Sequence, residues 1–349
     1  MRPGCLVLIA SWLVLTGCST SDHSKLSHVQ PALPPDLPWV QVSHSQSNLV
    51  ELQIAVRKFE PIKGRGPAVW LTGVSHIGDS NYYARLQKHL DAQTLVLFEG
   101  VSESTAPTMT PRTKSATTES TNAAPAGTTS AAKQSSLQTI LASSLGLVFQ
   151  LDAINYQRPN FRHSDLTISE LQAIFAEQSS TTNGAGADQS FDRLIQLMQG
   201  GSMFDNLLRL GLRFLGSNPK LQGLSKLALI ETLGQMKGDP SQMRGMPPSM
   251  TSLFQVLIQR RNQKVMSDLQ LARKSAGPKG SIAIFYGCGH NPDLEKHLRE
   301  EMNYQPVEQF WLTAFSVDLD AAGITSSDLT FITNLLHQGL GQLQNPAKL

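Results

Sequence analysis

The chain has few cysteines, and we expect no disulfide bond to stabilise it. Its 349 residues include three, Cys5, Cys18 and Cys288. The first two belong to an N-terminal segment that we expect to be removed or modified. Only Cys288 would remain as a thiol, so no intramolecular disulfide could form. A domain of this kind must rely on its hydrophobic core for stability.

A strong charge bias and long apolar runs are also missing. The formal net charge is +2, and no block of Lys or Arg stands out. We therefore expect no nucleic-acid partner. Beyond the N-terminus no apolar run is long enough to be a transmembrane helix. About 330 residues remain after that segment, which suffices for one large α/β domain or two small ones.

The N-terminus has the features of a secretory signal. Arg2 precedes an apolar stretch that ends in Leu15-Thr16-Gly17-Cys18. A basic start, a short apolar core and small residues before a cleavage point predict a signal peptide over 1–17. The last four residues resemble a bacterial lipobox, which implies a lipidated Cys18. Because Ser19 is not Asp, the resemblance favours the outer membrane, facing the periplasm, in a Gram-negative cell. The alternative is an ordinary signal peptide with a chance cysteine.

Composition divides the rest of the chain. Residues 18–62 contain a proline-rich stretch and are predicted to be a tether and N-terminal segment. An α/β domain is predicted over 63–349. The insertion 103–134 consists mainly of Ser, Thr, Ala, Pro and Gly, so it should be disordered. Residues 190–248 should form a helical subdomain over the strand-end face, either as a simple cover or as a lid that binds substrate or membrane.

Three apolar runs predict buried strands, namely 68–72, 94–99 and 281–286. Helical patterns lie between them, so the expected fold class is α/β, with a central sheet and flanking helices. Ligands of such sheets collect beyond the carboxyl ends of the strands. Residues that directly follow these runs are therefore the first candidates for chemistry.

Two of the strands end in the same short motif. The first is Gly73-Val74-Ser75-His76 and the second is Gly287-Cys288-Gly289-His290. Glycine allows a sharp turn and a close approach of backbone to ligand. The third strand ends in Glu99. Two histidines and a carboxylate at neighbouring strand ends predict an open metal site. Alternatively, the histidines are structural, and Glu99 is a general base or a solvent-facing residue.

Arg261 lies inside the apolar stripe of a predicted helix. The stripe consists of Phe254, Ile258, Val265 and Leu269. A guanidinium on that face needs a carboxylate or an anionic ligand, and Glu99 is the expected partner. Asn262 could donate to the same site. The alternative is an arginine at the rim whose charged end reaches solvent.

His163, Asp165 and Cys288 are weaker candidates. His163 and Asp165 precede a predicted helix, so they could belong to the site or could be an exposed residue and a turn residue. Cys288 could act as a nucleophile with His290. Side chains two residues apart on a tight turn seldom align for that reaction, so Cys288 is interpreted as a small packing residue.

Taken together, the motifs resemble those of the TraB/GumN/PrgY family, which includes the Tiki proteins. The matching residues are Gly73 with His76, Glu99, Arg261-Asn262, and Gly287 with His290. The resemblance covers roughly residues 66–101 and 250–316. It implies a fold similar to those of erythromycin-esterase-like enzymes and ChaN-like haem-binding lipoproteins. For Tiki proteins it implies metal-dependent proteolysis.

The resulting expectation is a lipid-anchored, metal-dependent hydrolase that cleaves peptide bonds. His76, His290 and Glu99 would hold manganese, cobalt or zinc, with Glu99 as ligand or base. Arg261 would orient Glu99 or stabilise an oxyanion. The partners would be the membrane, through Cys18, and a peptide or protein substrate. The alternative is a non-enzymatic lipoprotein that binds haem or a metal at the same strand ends.

Overall fold

A mixed seven-stranded sheet with helices on both faces forms the centre of the fold. The computed structural model describes residues 33–34, 37–46, 48–100, 137–181, 216–235 and 256–334. The predicted α/β class, a central sheet with flanking helices, is thereby confirmed. The predictions for 1–17, for most of the tether, for the insertion 103–134 and for most of 190–248 lie outside the described residues.

The strands are β1 (Val40–Gln46), β2 (Leu49–Pro61), β3 (Ala68–Val74), β4 (Ile77–Gly78), β5 (Leu95–Phe98), β6 (Val148–Phe149), β7 (Phe161–His163), β8 (Ser281–Gly287) and β9 (Tyr304–Asp318). The helices are α1 (Ser80–Asp91), α2 (Leu137–Ser144), α3 (Gln150–Ala153), α4 (Ile168–Thr181), α5 (Pro219–Gly234), α6 (Arg261–Ala276) and α7 (Asn291–Glu300). A π-helical turn, Val256–Arg260, leads directly into α6, and a 3-10 turn, Cys288–His290, leads into α7.

Four neighbouring strands of the sheet run parallel, in the order β3, β8, β5 and β7. Their carboxyl ends therefore lie at one edge. Strand β2 is antiparallel to β3 and pairs along its length with β9. The inner strand β8 is buried on both faces, which explains why it reads as an unbroken apolar run. β4 and β6 form a separate small ribbon.

Helices cover the two faces of the sheet through separate apolar clusters. On one face lie α1 and α5, with Tyr82, Tyr83, Leu86 and Leu90 of α1 buried as their helical spacing predicts. On the other face lie α6 and α7. Helix α4 begins with a capping box, in which Glu170 N–H donates to Thr167 Oγ1 while Thr167 N–H donates to Glu170 Oε2.

The sheet begins earlier in the chain than the sequence suggests. The expected domain boundary is residue 63, yet β1 and β2 lie before it and pair with the rest of the sheet. Strand β2 alternates between partly exposed and buried residues from Leu49 to Ile54, is buried from Ile54 to Arg57, and alternates again toward Pro61. Its pattern is therefore mixed, and only pairing with β3 and β9 distinguishes it from an extended linker.

The segment 137–151 is not one continuous helix. Helix α2 ends at Ser144, and Gly146 has a φ of +64°, which favours glycine and stops the helix. The next residues form β6, which pairs with β4 directly after His76. This break brings Gln150 to the strand-end edge. Among the described residues, no helix combines the length and apolar character needed to cross a bilayer.

Candidate functional site

The three predicted site residues meet at the carboxyl ends of β3, β5 and β8. Glu99 Oε2 accepts a hydrogen bond of 2.6 Å from Gly287 N–H. Glu99 Oε1 lies 3.7 Å from His290 Nε2. A Cβ atom on Gly287 would stand 3.4 Å from Glu99 Oε2 and 3.5 Å from His76 Nε2. His76 and Glu99 therefore flank one small space beside the Gly287 backbone, and His290 lies beside the other carboxylate oxygen of Glu99.

Arg261 is buried and paired, as its place in the helix predicts. Its side chain is 9% exposed, and Nη2 donates to Glu99 Oε1 at 2.6 Å. The same guanidinium forms a bidentate contact with Asp165, through Nε at 2.9 Å and Nη2 at 2.6 Å. Asp165 is also fixed by the N–H groups of Gly100 and Leu166. Asp165 thus holds Arg261 in place beside Glu99 and is not merely a turn residue.

This cluster of charges keeps Glu99 ionised. Burial raises the pKa of Glu99, but Arg261, the two histidines and the Gly287 N–H outweigh burial and lower it to about 2. Burial lowers the pKa of Arg261, but Asp165 and Glu99 outweigh burial and raise this pKa above its ordinary value. Arg261 therefore remains a cation. One cation then faces two carboxylates, and the excess negative charge favours a cation nearby. A carboxylate of such low pKa is a weak general base near neutral pH.

His290 is held as a neutral imidazole with a defined free nitrogen. Asn262 Nδ2 donates to the carbonyl oxygen of His290 and to Asp293 Oδ2, so Asn262 Oδ1 faces His290 Nδ1, at 2.7 Å. Nδ1 must therefore carry the proton. Burial lowers the pKa of His290 to about 4. The unprotonated Nε2 consequently points toward Glu99. Asn262 therefore acts through His290. The expectation that Asn262 donates into the site is wrong.

His76 has a corresponding partner on the other side of the site. Its Nδ1 lies 2.8 Å from Gln150 Oε1, and Gln150 Nε2 donates to the hydroxyl of Tyr156 at 2.8 Å. This arrangement leaves His76 Nε2 free to face Glu99. The main chain adds a second link, since Gln150 N–H donates to the His76 carbonyl oxygen. Sequence patterns miss Gln150, because its position depends on the short β4–β6 pairing.

His163 stands apart from this arrangement. It is exposed, its Nε2 contacts the carbonyl oxygen of Gly100, and its ring packs edge-on against Phe98. Asp165 therefore belongs to the site, whereas His163 lies outside it, at the rim. Asp293 is a further contributor that the sequence does not single out. Its position, three residues after His290 in the first turn of α7, was the available signal.

Of the two glycines that begin the motifs, Gly73 is needed for close packing, whereas Gly287 leaves a small space beside Glu99. Gly287 has φ −49° and ψ 136°, which other residues adopt readily. A Cβ on Gly73 would stand 2.5 Å from Asn291 Nδ2 and 3.2 Å from Cys288 Cβ. The first motif thus packs directly against the residues of the second. Asn291 is fully buried, and its amide has no hydrogen-bond partner among the described residues.

Cys288 lacks the properties of a nucleophile. It is partly buried against the core, and burial raises the pKa of its thiol to about 11. Reactive cysteines instead have lowered pKa values. We expect Cys288→Ala to retain most of the activity and iodoacetamide to have little effect, as measured by hydrolysis assays before and after alkylation. Loss of nearly all activity in Cys288→Ala, with indifference to a chelator, would show that the thiol is catalytic.

The residues around Gly287 are of the types that bind divalent cations. In the described part of the chain, no three His, Cys, Asp or Glu side chains are already arranged so that they could hold a metal ion. However, His76 Nε2 and Glu99 Oε2 flank the space that a Cβ atom on Gly287 would fill, and His290 Nε2 lies 3.7 Å from Glu99 Oε1. In addition, the side-chain oxygens of Gln150 and Asn262 contact Nδ1 of His76 and of His290. Metal-bound histidines likewise have a hydrogen-bond partner at the ring nitrogen that does not bind the metal.

Comparison of the chain with protein-family models, with curated proteins and with solved structures finds no match.

Proposed function

We propose that the chain is a metal-dependent hydrolase whose site is formed by His76, His290 and Glu99. One observation carries the proposal: both histidines lie beside the ionised carboxylate of Glu99, and Gly287 leaves room between Glu99 and His76. The two Nε2 atoms and Glu99 would hold a divalent ion such as manganese, cobalt or zinc. Such an ion polarises a carbonyl group and lowers the pKa of bound water.

The protein's own contribution is to hold these donors in place. Glu99 is anchored at both oxygens, by Arg261 and by the Gly287 N–H, which limits its motion. Its pKa of about 2 favours the role of ligand over that of general base. Arg261 directs Nε and Nη2 to carboxylates and Nη1 to the Leu257 carbonyl. These contacts use four of its five N–H groups, so Arg261 acts as a positioning residue for Glu99.

The substrate class and the location belong to the same proposal. The order Gly73–His76, Glu99, Arg261-Asn262 and Gly287–His290 resembles the TraB/GumN/PrgY pattern, and its Tiki members suggest a peptide or protein substrate. A Tiki-like, erythromycin-esterase-like or ChaN-like arrangement of the sheet is the corresponding fold proposal. Lipidation at Cys18 would anchor the protein in the cell envelope, at the outer membrane facing the periplasm in a Gram-negative cell.

Metal loading of matched histidine variants tests the proposal. His76→Ala and His290→Ala should each lose bound manganese, cobalt or zinc, with affinity falling at least about tenfold. They should also lose hydrolysis of a peptide substrate while the circular dichroism spectrum stays unchanged. His163→Ala is the matched control, because His163 lies at the neighbouring strand end outside the site. Elemental analysis after dialysis gives the metal content.

Other outcomes of the same experiment have clear meanings. Stoichiometric metal in both His76→Ala and His290→Ala would remove these residues as ligands. A metal site without hydrolysis, or a Soret band after haem is added, would favour the non-enzymatic binding lipoprotein. A chelator should abolish hydrolysis by the wild-type protein, and restoring the ion should recover it.

A further inference from the structure

The edge of the sheet opposite the site is basic. The amino ends of β3 and β8 lie side by side there, with Ala68 paired to Ser281. Two segments lead into these strands: the loop 62–67, and residues 273–280, which form the last turn of α6 and the loop after it. They contain no Asp or Glu and five cations: Lys63, Arg65, Arg273, Lys274 and Lys279. The segments touch, because Arg273 Nη2 lies 3.6 Å from where a Cβ on Gly66 would stand. We call these two segments the basic edge.

Most cations of the basic edge are exposed. Lys63, Arg65, Lys274 and Lys279 are exposed and form no salt bridge with any residue that the structure describes. Arg273 is partly buried, and its guanidinium stacks on the Tyr304 ring, 5.1 Å from the centroid.

The nearest acidic residues do not neutralise this charge. At the end of β2, Glu60 pairs with Lys58. At the end of α7, Glu301 pairs with His297, and Glu300 is a single exposed carboxylate. Asp91, at the end of α1, pairs with Arg158. The edge therefore keeps an excess of positive charge that a polyanionic surface would complement.

Two large apolar side chains are exposed beside these cations. Ile62 is 50% exposed and directly precedes Lys63. Leu271 is 49% exposed and lies three residues before Lys274, on the same side of α6. Exposed apolar groups among lysines and arginines suit the boundary of a membrane, where the cations meet headgroups and the apolar groups enter the interface.

The N-terminal chain joins the fold at this edge. Leu33 N–H donates to the Pro306 carbonyl at 2.8 Å, and Pro306 pairs with Phe59 near the end of β2. The loop with Lys63 begins just beyond that end. A fully extended chain from Cys18 to Leu33 spans at most about 50 Å. An anchor at Cys18 would thus keep the basic edge within reach of the bilayer.

We propose that the basic edge docks on a bilayer surface rich in anionic phospholipid. The parallel strands then point away from the membrane, so the site at their carboxyl ends faces the aqueous compartment. The binding comes from headgroup phosphates that meet the four exposed cations, with Ile62 and Leu271 inserted at the boundary. This docking depends on neither the metal nor the hydrolysis proposed above.

Vesicle partitioning of the full chain tests the docking. All proteins carry Cys18→Ser, so that no attached lipid contributes. The protein with the unchanged basic edge should partition at least about tenfold more strongly onto vesicles with about 30 mol % phosphatidylglycerol than onto pure phosphatidylcholine vesicles. Added salt should remove this difference. The quadruple variant Lys63→Gln/Arg65→Gln/Lys274→Gln/Lys279→Gln should lose the preference, yet keep its melting temperature and metal content.

A second quadruple variant controls for net charge. Arg85→Gln/Arg162→Gln/Lys226→Gln/Arg260→Gln removes the same charge from other parts of the surface and should retain the preference. An equal loss in both variants would attribute binding to overall charge and overturn the proposal. So would an unchanged preference in the first variant, displacement by millimolar inorganic phosphate, or wild-type binding to RNA without preference for anionic vesicles.

Discussion

Arg261→Ala should lower the free energy of unfolding by about 3–5 kcal/mol, because it leaves buried carboxylates without their cation. The Asp165 side chain is fully buried and that of Glu99 is 12% exposed, and both bind the same guanidinium. Arg261→Lys should also be impaired, since an ammonium group cannot copy the bidentate contact with Asp165. Denaturant unfolding monitored by circular dichroism measures both losses.

The pH dependence of stability gives a second readout for Arg261. In the wild-type protein the pKa of Glu99 is lowered to about 2 from an ordinary value of 4.5. Its contribution to stability is therefore full above pH 4.5 and is lost as the pH falls toward 2. Without Arg261, burial should raise the pKa of Glu99, so mild acid should stabilise the variant.

A double variant keeps this test informative if Arg261→Ala folds poorly. Asp165→Asn removes the excess buried charge and should recover part of the stability in the Arg261→Ala background. It should nevertheless destabilise the protein when made alone. Unfolding free energies for Arg261→Ala equal to those of the wild type would show that the ion cluster does not support the fold.

Gly287→Ala should abolish metal binding and activity while leaving the fold intact. The new methyl group would lie 3.4 Å from Glu99 Oε2 and 3.5 Å from His76 Nε2, which are ordinary contact distances. It therefore fits sterically but occupies the space between the proposed ligands. Because φ at this position is −49°, alanine adds no backbone strain. We expect a loss of at least about a hundredfold in hydrolysis, with a melting temperature within a few degrees of wild type.

Two other glycines provide contrasting controls for this prediction. In Gly100→Ala the methyl group would meet only His163 and Phe98, at 3.6 Å or more, so metal binding should survive. In Gly73→Ala it would lie 2.5 Å from Asn291 Nδ2, so the fold itself should be destabilised. Normal metal affinity in Gly287→Ala would show that the ion, if bound, does not use the space between Glu99 and His76.

Local patterns in the sequence were sufficient for the framework of the site. Each of the strands β3, β5 and β8 is a short apolar run that ends in a motif residue, because both faces of an inner parallel strand are buried. Parallel pairing then places all three ends at one edge. The inward position of Arg261 follows from helical periodicity, which survives the π-helical turn before it.

Only the tertiary structure decided which groups support these residues. Asp165 reaches Arg261 across 96 positions of sequence, and Gln150 reaches His76 across 74. Gln150 depends on β4 and β6, strands of two residues each, which are too short to show an alternating pattern. Such partners are chosen by how distant segments pack. Apolar periodicity records which face of an element is buried, but it does not record what that face meets.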